Sequence, residues 1–169
     1  ISFEIDMTIE NLLKEFETNK SLSKDSIKYI QSDTEIGKKL VNHFRENKNR
    51  DFTICLIDNL TEIRNQPYPH GYEMETETLM LSAYLLGLHQ NVEDCLKIWK
   101  SKTTDFDTYC GFDIQLVVFA GVEKTIEYLK TNKSEESEDA LKYIKECQKS
   151  GDFDEIEDYF SETELPWFI

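Results

Sequence analysis

The residue types able to do chemistry are few in this chain, and two Asp-Phe-Asp triplets, Asp105–Asp107 and Asp152–Asp154, are the first to stand out. Two carboxylates two residues apart could share a divalent cation. A calcium loop of the EF-hand kind also needs further oxygen ligands, a glycine at its turn and a terminal Glu at fixed spacing. Neither triplet has that set, and helix capping and turn formation suit both. The three histidines stand apart, with no second His or Cys at ligand spacing. His43 and His89 fall near the ends of helical patterns, where an imidazole can meet the last carbonyls, and His70 lies in a loop. Acid pairs suited to glycoside hydrolysis can be drawn from many positions in so acidic a chain, which makes that reading unspecific. There is no glycine-rich phosphate loop, no GxSxG elbow and no HExxH. No catalytic residue, metal or cofactor is therefore expected. An enzyme would need His70 to share a pocket with Asp105 or Asp107.

The elements that must position these residues read as helical almost throughout. Ile9, Leu12, Leu13 and Phe16 share one helix face. Ser23 and Asp25 open a second helix, and Ser32 with Glu35 is spaced as a capping box for a third carrying Ile36, Leu40, Val41 and Phe44. A fourth carries Phe52, Leu56, Leu60 and Ile63. NQPYPHGY, 65–72, is the clearest loop. ETLMLSAYLLGLH is apolar all round and reads as the central buried helix. Asn91 caps the next. TTDFDTYCG, 103–111, reads as a loop, and FDIQLVVFAG as a short buried helix, since no partner strand is in view. Ser134 opens a helix that Gly151 ends, with Tyr143 and Cys147 facing inward. Asp152 and Glu155 are spaced as N-cap and N3 of a last helix. From about residue 75 the pattern suggests hairpins, 75–90 with 91–101, 112–120 with 122–132, and 135–149 with 153–162. The expectation is one all-α domain over 1–169, an irregular multi-helix bundle or short α-solenoid.

Charge then limits the partners. The 169 residues carry a formal charge of −15. Residues 134–169 alone hold 12 acids and 3 Lys/Arg, more than half of the excess. Such a field repels nucleic acid and anionic membrane and steers a basic protein inward. The basic cluster Lys38, Lys39, Arg45, Lys48 and Arg50 is expected to pair with the chain's own acids or stay solvated. Cys55, Cys95, Cys110 and Cys147 are far apart, without a CxxC pair, and suit a reduced cytoplasmic setting. The apolar run near Leu79–Leu88 is too short to span a bilayer. The start, ISFEIDMTIE, is acidic, unlike a secretion signal, and its lack of an initiator Met points to a trimmed or processed chain. Helix-dipole stabilisation accounts for Glu135, Glu136, Glu138 and Asp139 at a helix start, but not for Asp158 and Glu162 toward a helix end. The expected partner-binding set is Asp154, Glu157, Asp158, Tyr159, Glu162 and Glu164, joined by Asp105, Asp107 and Tyr109. The tail residues Leu165, Trp167, Phe168 and Ile169 are expected to fold back on the core.

A resemblance gives this set a purpose. The stretch from LMLSAYLLGLH through the helix ending in IWKSK, the FDTYCGFDIQ loop and ALKYIKECQKSGDF resembles small helical immunity proteins of bacterial polymorphic-toxin and contact-dependent inhibition systems, over about residues 79–154. The resemblance implies a cytosolic protein encoded beside a toxin, which it neutralises by binding and covering the toxin's active site. Many such toxins are basic nucleases, and their inhibitors are often acidic. The expected partner is accordingly a cognate basic toxin domain. The alternative is a helical-repeat scaffold or regulatory protein that binds a peptide or protein in a groove.

Overall fold

The computed structural model describes residues 7–169; the beginning of the acidic ISFEIDMTIE segment lies outside them. The described residues form ten α-helices and three 3₁₀ turns, with no strand. The first four are α1 (Ile9–Asn19), α2 (Lys24–Ser32), α3 (Thr34–Glu46) and α4 (Arg50–Arg64). Each opens on a side chain that accepts from a backbone N–H of the first turn: Thr8, Ser23, Asp33 and Asn49. The expected Ser32–Glu35 box is displaced by one residue. Asp33 caps α3 through the amide of Glu35, while Ser32 closes α2 and donates to Tyr29 O. A carboxylate is a stronger acceptor than a hydroxyl, and it wins the cap.

α5 (Thr76–Gly87) is buried from Thr78 to Gly87, which is why its sequence shows no polar face. α4 packs along it, contributing Phe52, Leu56 and Leu60, each with no exposed surface. Each such leucine removed from water stabilises the fold by about 1.5–3 kcal/mol. Gly87 lets the ring of Phe119 lie directly on α5, where a Cβ would come within 2.2 Å of it. Residues 112–120 are helical in character: Ile114–Val118 form a buried 3₁₀ turn.

Beyond α5 come α6 (Cys95–Lys102), α7 (Phe106–Gly111), α8 (Val122–Thr131), α9 (Glu135–Ser150) and α10 (Ile156–Tyr159). Helix α7 corrects the expected loop at 103–111: Asp105 and Thr108 exchange bonds in a capping box and nucleate a helix the composition hides. The close helix pairs are α4 with α5 and α8 with α9. The expected 135–149 and 153–162 hairpin is not a helix pair, because α10 is a single turn. Asp152 and Glu155 do not cap it; Glu155 is left-handed at φ 60°, in a turn that follows the left-handed Gly151. The result is an irregular bundle. Among the described residues no helix is long and apolar enough to cross a membrane.

Candidate partner-binding surfaces

The C-terminal segment lies across the bundle and is held by two side chains from elsewhere. Arg45 of α3 directs its guanidinium at main-chain oxygens, donating to Glu162 O at 3.1 Å, Ser161 O at 3.2 Å and Glu164 O at 3.3 Å, and to Tyr84 Oη at 3.1 Å. Asp113, just before the 3₁₀ turn, accepts from Tyr159 Oη at 2.8 Å and from Trp167 Nε1 at 2.7 Å on the same oxygen. Phe160 packs on Phe119 with ring centroids 4.2 Å apart. Pro166 is buried, and Leu165, Phe168 and Ile169 pack against the core. Trp167 departs from the expected inward tail: its indole N–H is bonded, yet its surface is 64% exposed. An aromatic with its polar atom satisfied internally and its ring in solvent is a rigid apolar contact on offer.

Around this segment Asp154, Glu157, Asp158, Glu162 and Glu164 are exposed, as expected. Among the described residues none of these five forms an ion pair. The three arginines and a few lysines are committed elsewhere. In the basic cluster, Lys38 pairs with Glu35 and Arg50 with Asp94, while Arg45 and Lys48 go to carbonyl oxygens. Tyr159 does not belong with the exposed set. It is partly buried, its hydroxyl serves Asp113, and burial raises its pKa, with the bond to Asp113 adding to the effect.

The other three expected residues lie on α7 and divide. Asp105 is committed inside the protein. Its carboxylate caps Thr108 N at 2.9 Å and accepts from Arg64 Nε at 2.5 Å and Nη2 at 3.1 Å. The Arg64 bond holds its pKa below the ordinary carboxylate value. Arg64 itself is buried, donates to Met74 O at 2.7 Å and lies 4.9 Å from the Tyr72 ring centroid. Asp107 stays exposed, 3.9 Å from Arg64 Nη2. Tyr109 is 41% exposed. Between them, Phe106 projects into solvent at 78% exposure, a residue the sequence reading passed over because it took the triplet for a loop.

Tyr109 opens onto a second surface that the sequence did not reveal. A groove of about 760 Å³ runs between α6–α7 and the first half of α9. Trp99, Tyr109 and Tyr143 form its aromatic side, with Tyr143 5.4 Å from each of the other two ring centroids. Glu135, Glu136, Asp139, Lys142 and Glu146, on α9 like Tyr143, line the groove as well. Among the described residues these four acids also lack an ion pair. Beneath the aromatics, buried Lys102 donates to Tyr109 O and Phe112 O, both at 2.6 Å, satisfying carbonyls at the end of α7. Its Nζ lies 5.4 Å from the Tyr109 and Tyr143 centroids. The α9 acids read from sequence as dipole-stabilising first-turn residues, and Tyr143 as core; their convergence depends on how α9 crosses α6.

His70 is not drawn into a common site with the α7 acids. It lines a different groove with Ile27, Gln31 and Met74, and its Nδ1 is 3.8 Å from Glu73 Oε1. Among the described residues no three His, Cys, Asp or Glu side chains gather to hold a metal ion. The four cysteines are free thiols. Set against known protein families, curated proteins and solved structures, the chain has no match.

Proposed function

We propose that this chain is an acidic binding protein that neutralises a basic toxin domain, an enzyme acting on nucleic acid, by covering the lysines and arginines with which the toxin holds phosphate. The observation that supports this most is the excess of exposed acids, 34 Asp and Glu against 19 Lys and Arg in the chain. Arginines and several lysines serve internal contacts, while acids of the C-terminal segment and of α9 stand exposed without an ion pair among the described residues. Folding leaves these carboxylates unpaired, so a cationic partner could meet them at little internal cost. Trp167 among the C-terminal acids supplies the apolar contact that such a patch needs for affinity, since charge alone gives chiefly rate and specificity.

The test is co-expression. The chain is produced together with the toxic domain of any secreted protein found to be encoded beside its gene, and growth is followed. Wild type should rescue growth and co-purify with the domain, whereas Glu157→Lys/Asp158→Lys should do neither while keeping its helical circular dichroism. Equal rescue by both proteins would sink the acidic-surface mechanism. Failure of wild type to bind would sink the toxin reading.

A further inference from the structure

The groove between α7 and α9 combines two features that acidity alone would not produce. One is an aromatic cluster: Tyr109, half in solvent, stands edge-on to Tyr143 (centroids 5.4 Å, rings 75° apart), which leans on Trp99. Carboxylates line the same groove, Glu135, Glu136 and Asp139 on the first turns of α9 and Glu146 two turns on, along the helix that also carries Tyr143. Acids at the start of a helix serve its dipole, but that role does not require aromatic rings lining the same groove. Two cations are already close, Lys142 on the rim and Lys102 under the rings, and the four carboxylates outnumber them. Lys102 also demonstrates the chemistry from the inner side, its ammonium lying over both tyrosine rings.

We propose that this groove is the seat of an arginine side chain from a protein partner. A guanidinium is planar, stacks on an aromatic face while its edge donates to carboxylates, and is less strongly hydrated than an ammonium. The groove offers both contacts at once: the exposed face of Tyr109 for the plane, and the carboxylates of Glu136 and Asp139 for the N–H edge. At about 760 Å³ it has room for the side chain together with the backbone that carries it. This assignment rests on the reading of the chain as a binder of basic protein, and it names which part of such a partner is gripped.

The experiment uses the full chain and N-acetyl-arginine amide as probe, followed by NMR. Saturable shifts are expected for the Tyr109 and Tyr143 rings and for backbone amides of the first turns of α9. The citrulline analogue, equal in shape but neutral, should give none, and the lysine analogue should bind at least threefold more weakly. Tyr109→Leu, at a half-exposed position, and Glu136→Gln/Asp139→Asn should each weaken binding at least fivefold with the rest of the spectrum unchanged. Arginine shifts centred on the C-terminal acids, equal binding of citrulline, or unchanged binding in both variants would overturn the proposal. Because the probe involves no toxin, an absence of growth rescue leaves this result standing, and rescue without groove binding refutes the seat alone.

Discussion

Tyr159 donates its hydroxyl to Asp113 Oδ2 at 2.8 Å, and Trp167 Nε1 reaches the same oxygen at 2.7 Å, so one carboxylate anchors both ends of the last eleven residues. Tyr159→Phe removes one of the two bonds and should cost about 1 kcal/mol in urea unfolding. Asp113→Ala strands both donors and should cost more, about 1–3 kcal/mol, with a shift in Trp167 fluorescence. The tyrosine also sets a pH limit. Burial first, then the bond to Asp113, raises its pKa in the fold. Its contribution is therefore complete below the unfolded value of about 10 and is lost as pH rises above it. Wild type should lose stability above that pH in excess of Tyr159→Phe.

Arg64 and Asp105 give the opposite pH dependence. The Arg64 bond lowers the folded pKa of Asp105, so this carboxylate stabilises the fold above its unfolded value of about 3.9, and the effect fades as pH falls through the folded value. Asp105→Ala removes a cap and leaves the buried Arg64 guanidinium short of a counter-charge, with an expected cost of about 3 kcal/mol at pH 7. In an acid titration the excess stability of wild type over this variant should shrink below about pH 4. A constant gap across that range would show that the pair is not what the carboxylate contributes.

The thiols should separate by burial. Burial pushes Cys95 up to about 12 and, with Asp152 adding to it, Cys147 up to about 11; Cys55 is raised as well. Cys110 is exposed. A thiol reagent at pH 8 should modify Cys110 first and the others only as the chain unfolds, read by mass spectrometry after partial labelling.

Gly87→Ala should destabilise by roughly 1–3 kcal/mol, because the new methyl meets the Phe119 ring at 2.2 Å. Adding Phe119→Leu should recover part of that loss, giving a double mutant more stable than the sum of its single changes.

These sites differ in how far the sequence disclosed them. The helices of the first half were legible because their apolar spacing is regular, with Ser23 capping as expected, whereas the caps Thr8 and Asn49 emerge only in the structure. The central helix was legible from its lack of any polar face. Helix α7 was not, since six residues are too few to show a period and only the Asp105–Thr108 exchange reveals it. The last helix was overread: Asp152 and Glu155 have cap spacing, but Gly151 ends α9 in a left-handed turn and Glu155 takes a second one. Exposure of Asp154, Glu157, Asp158, Glu162 and Glu164 followed from composition, whereas the inward turn of Tyr159 depends on Asp113, 46 residues away. The α9 groove joins residues from 99 to 146, and nothing local in any of its segments marks it.

Recruitment of a basic protein by exposed, unpaired carboxylates must make association steeply dependent on salt. The measurement is the association rate constant of this chain with a basic nuclease toxin domain of the proposed kind, by stopped-flow Trp fluorescence, between roughly 25 and 500 mM NaCl, where screening of exposed charges becomes strong. The rate should fall by more than tenfold across that range, and by a much smaller factor for Glu157→Lys/Asp158→Lys. A rate independent of salt, or the same salt slope in wild type and variant, would contradict such recruitment.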